Sequence, residues 1–241
     1  MRLVAKFMNG RRVLFIQHGE TDKPGLLGEV LAERGIGMDI LRPDLGEPIP
    51  DHLGIHSGLA VGGGAQGVYE VEKYPYLGLE IGLIKSAASQ GKPVIGLCLG
   101  GQLMAASFGA EVHKGPHREI GFFPVTLDPI SDFDPMWCDM PKTFVTTHWH
   151  GDVFEIPPGG MRLGHSAMTP NQLFRYGHSL YGLQFHLEMT PEILEEMVAD
   201  SKDDLLGQGV DPEQLRKEGL AHLPNLRETA TTVFSRWTDF L

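Results

Sequence analysis

The sequence predicts an α/β domain built on a mainly parallel sheet flanked by helices. In the first half, short apolar runs rich in strand-forming residues alternate with segments that carry apolar residues at helical spacing. The 241 residues, 41% of them hydrophobic, are enough to bury one large core. Between residues 122 and 183 the pattern changes to short β-rich pieces separated by Pro and Gly, which indicates a smaller antiparallel or mixed β extension.

The predicted elements of the first half are, in chain order, a strand at 13–16, a helix at 26–34, strands at 38–41 and 58–61, a helix at 79–90 and a strand at 93–96. Strands at 123–127, 143–147, 163–167 and 172–176 follow. Helical patterning resumes after Thr190, where a capping residue precedes Pro191, and returns over 223–241. We therefore expect a single domain over 1–241 with a helical C-terminal extension over 190–241.

Composition excludes several classes of function. The formal net charge of −11 and the absence of a long basic cluster argue against a nucleic-acid-binding surface. The sequence has no apolar run long enough to span a membrane and no apolar stretch of a secretory signal at its N-terminus. Two cysteines, Cys98 and Cys138, are too few for a disulfide scaffold and suit a reducing compartment, so we expect a cytoplasmic protein.

Cys98 is the strongest candidate for a catalytic residue. It lies between Gly96 and Gly100, where a predicted buried strand turns directly into a predicted helix. Such a turn is a nucleophile elbow: the glycines relieve its crowding, and the side chain at its centre projects over the sheet edge. Thiols at a helix N-terminus beside a histidine are commonly ionised at neutral pH, so the position suits a nucleophile better than a core residue. Cys138 has no glycine frame, and we interpret it as structural or incidental.

His186 and Glu188 complete a possible catalytic triad with Cys98. They alternate with apolar Phe185 and Leu187, which in a strand would place the two polar side chains on one face. His186 would carry protons to and from the sulfur, and Glu188 would fix the tautomer and orientation of the imidazole. A solvated polar face on an edge strand is the alternative interpretation of the same pattern.

A glycine-rich segment at residues 62–67 (GGGAQG) directly follows the third predicted strand, and we call its first three residues, 62–64, the glycine loop. Its backbone amides would face the elbow across the carboxyl edge of the sheet and, with the amide of Leu99, would meet the negative charge that develops on a carbonyl oxygen. A plain tight turn or a phosphate site is the alternative.

Two histidine groups raise the question of a metal. His148 and His150 are two residues apart with Asp152 nearby, and His113 and His117 are four apart. Neither set has the ligand count of a fixed site, so we predict no metal ligands and no cofactor. His18, after the first strand, would either face the pocket or belong to a capped turn.

Together, residues 96–102 (GLCLGGQ) and 184–188 (QFHLE) resemble the class I glutamine amidotransferases, most closely their free-standing, GMP-synthase-like group. The resemblance covers residues 13–188 and includes Gly63-Gly64, the stretch 119–121 (EIG) and the stretch 149–152 (WHGD). It implies a flavodoxin-like fold.

The resemblance also implies site residues. Cys98 would attack the side-chain amide of glutamine, His186 would protonate the departing ammonia, and a glutamyl thioester would then be hydrolysed. The amides of Gly64 and Leu99 would form the oxyanion hole. The remaining implied residues, Gly63 and Gln102, would contact the substrate.

Three hypotheses follow for the function. The residues after Glu188 are too few for a synthetase domain, so one hypothesis is a glutaminase subunit that passes ammonia to a separate synthetase chain. That partner would need an exposed apolar patch on the face that carries the elbow. The second is an independent hydrolase of γ-glutamyl amides or peptides, which would need an open cleft beside His186. The third is a non-catalytic binding or redox-sensing protein of the same fold.

Overall fold

The computed structural model describes residues 10–241, so the first nine residues of the predicted domain over 1–241 lie outside it. The strands of the described part are β1 (Arg12–Ile16), β2 (Gly37–Leu41), β3 (Gly58–Val61), β4 (Val94–Leu97), β5 (Val112–Leu127), β6 (Thr143–Phe154), β7 (Gly160–His165), β8 (Leu173–Tyr176) and β9 (Leu180–Leu183). Its α-helices are α1 (Gly25–Glu33), α2 (Tyr76–Ser89), α3 (Leu99–Ser107), α4 (Pro191–Asp200), α5 (Lys202–Gly207) and α6 (Pro212–Thr238).

All described strands join one mixed sheet in the order β2-β1-β3-β4-β9-β8-β7-β5-β6. The strands from β2 to β9 in that order run parallel, and the remaining pairs are antiparallel. Every residue of β3 and β4 is buried, as is usual for parallel strands that are covered by helices on both faces. The predicted α/β fold with a mixed β extension is confirmed.

Two of the antiparallel strands, β5 and β6, are longer than the sequence predicts. We expected strands over 123–127 and 143–147, whereas β5 and β6 pair from Thr126 and Thr143 back to Val112 and Phe154. The start of β5 carries Gly, Pro and charged residues and has a register shift before Glu119, so its apolar alternation is interrupted. The extension is therefore the outer part of the same sheet.

The last helix also begins before its predicted start. α6 begins at Pro212 instead of 223, and the Asp211 side chain caps it by accepting from the Glu213 amide at 2.9 Å. It packs along α1, and the two helices share one apolar core, to which they contribute Leu26, Leu27, Val30, Leu31, Leu226, Ala230, Val233 and Phe234. No described helix combines the length and the apolar character that a membrane crossing requires.

β6 lies at the far end of the strand order but returns over the carboxyl end of β4. Trp149 of β6 places its carbonyl oxygen 3.8 Å from the sulfur of Cys98, and Thr147 forms a bridge with His186. The sheet therefore curls, and this curl brings side chains and carbonyls of β6 to the edge where β4 ends.

Candidate active site

Cys98 occupies a strained turn between β4 and α3. Its backbone has φ 51° and ψ −106°. L-amino acids adopt a positive φ of this size only at a cost in free energy. Among the non-glycine residues of 10–241, only Asp139 also has a positive φ. The Cys98 amide donates to the carbonyl of Leu183 at 2.8 Å, which ties the turn to β9. The thiol is thereby held at the carboxyl edge of the sheet, at the start of α3.

The glycines around Cys98 are required by close backbone approaches. A Cβ on Gly96 would lie 2.3 Å from the carbonyl oxygen of Gly100, and a Cβ on Gly100 would lie 2.1 Å from the carbonyl oxygen of Val61. Since both contacts are with backbone atoms, no rotation of a side chain would relieve them. The glycine frame thus lets α3 start directly against β3 and β4.

Cys98 is 5% exposed, and two hydrogen-bonding groups from outside the predicted triad lie near its sulfur. The Trp149 carbonyl oxygen is 3.8 Å from Sγ, and the side-chain amide nitrogen of Gln184 is 3.7 Å from it. Neither residue was assigned a role in the sequence analysis. Gln184 precedes His186 by two residues and would have been a candidate by position, whereas Trp149 contributes only a backbone atom and carries no side-chain signal.

His186 and Glu188 form a buried pair beside the thiol. His186 Nδ1 lies 2.6 Å from Glu188 Oε1, and both residues are 5% exposed. The other ring nitrogen, Nε2, has no hydrogen-bond partner in the described part of the chain. Burial opposes the charged imidazolium, but the charge of Glu188 and that of a Cys98 thiolate outweigh it and raise the pKa of His186 well above its usual value.

The backbone that carries this pair is not the strand that we predicted. β9 ends at Leu183, and beyond it the chain leaves β4 and turns toward β6. There the His186 amide donates to the carbonyl of Thr147 at 2.8 Å, and the Thr146 hydroxyl donates to the carbonyl of His186 at 3.0 Å. The two polar side chains therefore meet because β6 holds the segment, and the prediction of a regular strand through His186 is wrong.

The glycine loop after β3 lies against the elbow. The Gly62 amide donates to the carbonyl of Ile16 at 2.9 Å, and its carbonyl accepts from the Gly100 amide at 3.1 Å. A Cβ on Gly63 would lie 2.9 Å from the ring of His186, and one on Gly64 would lie 2.7 Å from the side chain of Leu99. The loop thus passes between the imidazole and the first residue of α3.

Two backbone amides of this region are free donors. Leu99 is the first residue of α3, where an amide has no acceptor inside the helix. Neither its amide nor that of Gly64 donates a hydrogen bond to any group in residues 10–241. The site therefore combines a thiol, an imidazole, a carboxylate and two available amides, which are the parts of a covalent acyl-transfer site.

Gln102 lies one layer behind the thiol. Its side chain is buried, and its amide nitrogen donates to the side-chain oxygen of Gln184 at 3.3 Å and to the carbonyl of Asp152 at 3.2 Å. It therefore connects α3 to Gln184, which itself reaches the sulfur of Cys98.

A buried cluster joins β5 to β6 next to this site. Its donor atoms, on Glu119, His148 and His150, lie within 4.8 Å of one another. The set that we considered from the sequence as a metal site contained Asp152 in place of Glu119. The carboxylate oxygens of Glu119 accept from Ser166 Oγ at 2.6 Å and from Gln172 Nε2 at 2.7 Å. Since both oxygens already have protein partners, the arrangement favours a structural network.

The charges of this network are set by burial and by its contacts. Burial would raise the pKa of Glu119, but the close approach of His150 and the hydrogen bond from Ser166 outweigh it and lower the pKa to about 2. Burial is the main cause that lowers the pKa of His148 to about 3. The network therefore holds an ionised carboxylate and a neutral imidazole at neutral pH.

Comparison with known proteins identifies the family of proteins to which this chain is similar. The family model described as glutamine amidotransferase class-I matches residues 26–202. The glutamine amidotransferase-like protein YfeJ of Salmonella typhimurium is 32% identical over 197 residues, which cover 80% of this chain and 82% of that protein.

A second relative and a solved structure agree with this match. The glutamine-hydrolyzing GMP synthase of Thermomicrobium roseum is 35% identical over 135 residues, which cover 55% of this chain but only 23% of that longer protein. The crystal structure of a glutamine amidotransferase from Thermotoga maritima superposes with a TM-score of 0.89 at 30% identity, covering 96% of this chain and 99% of that chain.

Proposed function

Because the chain belongs to the class-I glutamine amidotransferase family, we propose that it hydrolyses the γ-amide of glutamine through a thioester on Cys98 and releases ammonia. The observation that carries this proposal is the arrangement of Cys98, His186 and Glu188 at a strained turn beside two free backbone amides. This arrangement supplies a nucleophile, a proton carrier and an anion site at one point.

The reaction divides into two steps. The thiolate of Cys98 attacks the side-chain amide carbon, the C–N bond breaks, and His186 gives its Nε2 proton to the nitrogen, which leaves as ammonia. Water then attacks the thioester while His186 accepts a proton, and the C–S bond breaks to release glutamate and the thiol. Each cycle consumes one glutamine and one water and regenerates the protein.

Glu188 would keep the imidazole in the form that this cycle needs. By accepting from Nδ1 at 2.6 Å, it leaves Nε2 for the sulfur and the leaving group. Its negative charge also stabilises the imidazolium that forms when the thiol ionises, in agreement with the raised pKa of His186.

The amides of Gly64 and Leu99 would bind the oxyanion. Both are free donors in the described residues, and Gly64 packs against the side chain of Leu99, the residue next to Cys98. Gly63 and Gln102 would contact the substrate: Gly63 leaves room beside His186, and Gln102 would act partly through Gln184, which it holds at 3.3 Å.

We further propose that a synthetase on a separate chain consumes the ammonia. The match to a GMP synthase over 23% of its length supports this, because that protein unites glutamine hydrolysis with a further reaction. Two exposed side chains, Tyr69 and Val71, follow the glycine loop and supply part of the apolar surface that such a partner would need. We also propose that the chain forms the single domain expected over 1–241, which the core shared between α1 and α6 supports for the described residues 10–241. A cytoplasmic location stays a prediction from composition.

A substrate panel tests the proposal. The purified chain is incubated with glutamine, γ-glutamyl amides and γ-glutamyl dipeptides, and glutamate release is followed for the wild type, for Cys98→Ser and for the matched control Cys138→Ser. We expect glutamine turnover that is lost in Cys98→Ser and kept in Cys138→Ser.

The other outcomes identify the alternatives. Faster Cys98-dependent cleavage of the dipeptides than of glutamine would replace the proposal by an independent γ-glutamyl hydrolase. No cleavage of any substrate, with or without added synthetase, would favour a non-catalytic protein of this fold.

A further inference from the structure

A buried histidine–carboxyl pair lies directly behind the glycine loop. His18 follows β1, Glu80 belongs to α2, and both side chains are fully buried, with Nε2 of the histidine 2.9 Å from Oε2 of the carboxylate. The other ring nitrogen, Nδ1, lies 2.8 Å from the carbonyl oxygen of Gly63. The imidazole thus connects α2 to the loop that passes beside His186.

The contact with Gly63 fixes the direction of the hydrogen bond. A carbonyl oxygen only accepts, so Nδ1 of His18 must carry a proton and donate it. Burial disfavours a second proton on the ring, but the charge of Glu80 outweighs burial and raises the pKa of His18. Nδ1 therefore donates to the Gly63 carbonyl, while Nε2 contacts the Glu80 carboxyl group at 2.9 Å.

This bond determines where the next amide points. The carbonyl of Gly63 and the amide of Gly64 belong to one planar peptide group, in which C=O and N–H point in opposite directions. When the oxygen is held toward His18, the N–H of Gly64 is turned away from it. Because both residues are glycines, the backbone on its own would also permit the rotated peptide.

The remaining bonds of the loop do not set this orientation. They are made by Gly62, which bonds to Ile16 and Gly100, whereas the 63–64 peptide has no hydrogen bond to the described chain other than that from His18. The side chain of Leu99 and the ring of His186 flank this peptide.

We infer that His18 is a positioning residue: by holding the carbonyl of Gly63 it presents the Gly64 amide to the oxyanion formed at Cys98, and Glu80 in turn holds His18. The inference rests on the proposed function, because the direction of that amide matters only when Cys98 attacks a carbonyl. A purely structural role, in which the pair joins β1 to α2 and does nothing to the loop, is the competing interpretation.

Two substitutions separate these interpretations. In His18→Asn the amide nitrogen takes the place of Nδ1, so the bond to Gly63 is kept and the contact with Glu80 is lost. In His18→Gln the amide nitrogen takes the place of Nε2, so the contact with Glu80 is kept and the bond to Gly63 is lost. If His18 is purely structural, His18→Gln should be better tolerated than His18→Asn in every measurement, because it keeps the contact with Glu80. If His18 positions the loop, His18→Gln should bind an oxyanion less well than His18→Asn, because it loses the bond to Gly63.

The readout is the binding of an aldehyde analogue of glutamine, which forms a tetrahedral oxyanion adduct with a thiol. Removing one oxyanion donor costs about 100-fold or more. We therefore expect the dissociation constant to rise about 100-fold in His18→Gln and less than about tenfold in His18→Asn. Alkylation of Cys98 by iodoacetamide, which forms no oxyanion, should be the same in both variants, and thermal unfolding should rank His18→Gln as the more stable.

Equal aldehyde binding by the two variants, or a parallel loss of alkylation, would overturn the inference while leaving glutamine hydrolysis by the wild type intact. Failure of the wild type itself to bind the aldehyde would count against the proposed function. If the wild type does not bind the aldehyde, crystal structures of the two variants still test the inference about His18. A 63–64 peptide that rotates only in His18→Gln would support the inference, and a peptide that keeps its direction in both variants would overturn it.

Discussion

Gly100→Ala should destabilise the protein by disturbing the contact between α3 and β3. The added Cβ would lie 2.1 Å from the carbonyl oxygen of Val61 and 2.7 Å from its carbonyl carbon. Ordinary contact begins at 3.4 Å, so the first turn of α3 must withdraw by about 1.3 Å. That movement also lengthens the hydrogen bond from the Gly100 amide to Gly62, which is 3.1 Å long in the native protein.

The close contact with Val61 and the lengthened hydrogen bond to Gly62 together determine how much the free energy of unfolding decreases. Overpacking costs about 1–3 kcal/mol and the hydrogen bond about 1 kcal/mol, so we expect a decrease of about 3 kcal/mol in the free energy of unfolding. For a chain of this length the melting temperature should fall by about 9 °C. The matched control is Gly82→Ala: this exposed glycine of α2 has nothing within 4 Å of an added Cβ, and alanine there should stabilise by about 0.5–1 kcal/mol.

Thermal unfolding of both variants checks this reasoning, with iodoacetamide labelling of Cys98 well below the melting temperature as a readout of the elbow. We expect opposite signs for the two glycines and slower labelling in Gly100→Ala alone. If Gly100→Ala melted within about 2 °C of the wild type, the close approach of α3 to β3 would not be what the glycine is needed for.

Further predictions concern the charged groups of the site and its neighbouring network. Glu188→Gln removes the charge that raises the pKa of His186, so labelling of Cys98 at pH 6–7 should slow about tenfold and recover at higher pH; an unchanged pH profile would contradict the pairing. Glu119→Gln should lower stability at neutral pH by about 3 kcal/mol. Because the pKa of Glu119 is lowered to about 2 in the folded state, its contribution is complete above about pH 4.5 and is lost as the pH falls to about 2. The difference between wild type and Glu119→Gln in urea unfolding should therefore shrink over that range, and a constant difference would contradict the assignment.

The elbow could be predicted from sequence because its chemistry is local. A cysteine framed by Gly96 and Gly100 between an apolar run and a helix specifies its own geometry, and the structure shows the positive φ and close backbone contacts that this geometry implies. The start of α6 was also readable: Asp211 followed by Pro212 repeats the capping pattern of Thr190 and Pro191, which we did use.

Other parts of the site depend on contacts that are remote in sequence. Glu119 and His150 pair across β5 and β6, and the segment through His186 is held by β6, which no spacing along the chain reveals. The bond between His18 and Gly63 joins residues 45 positions apart. The contacts of β6 follow from the curl of the sheet, and that of His18 from the pairing of β1 with β3. The sequence therefore indicated the three triad residues but not the other groups that hold them.

The most direct test of the account is to look for the covalent intermediate. The wild type and Cys98→Ser are mixed with isotopically labelled glutamine, quenched in acid within one turnover and digested, and the peptide that contains residue 98 is examined by mass spectrometry. We predict a glutamyl thioester on Cys98 in the wild type, and neither an adduct nor glutamate release in Cys98→Ser. Glutamate released by Cys98→Ser at the wild-type rate would contradict the central claim that Cys98 is the nucleophile.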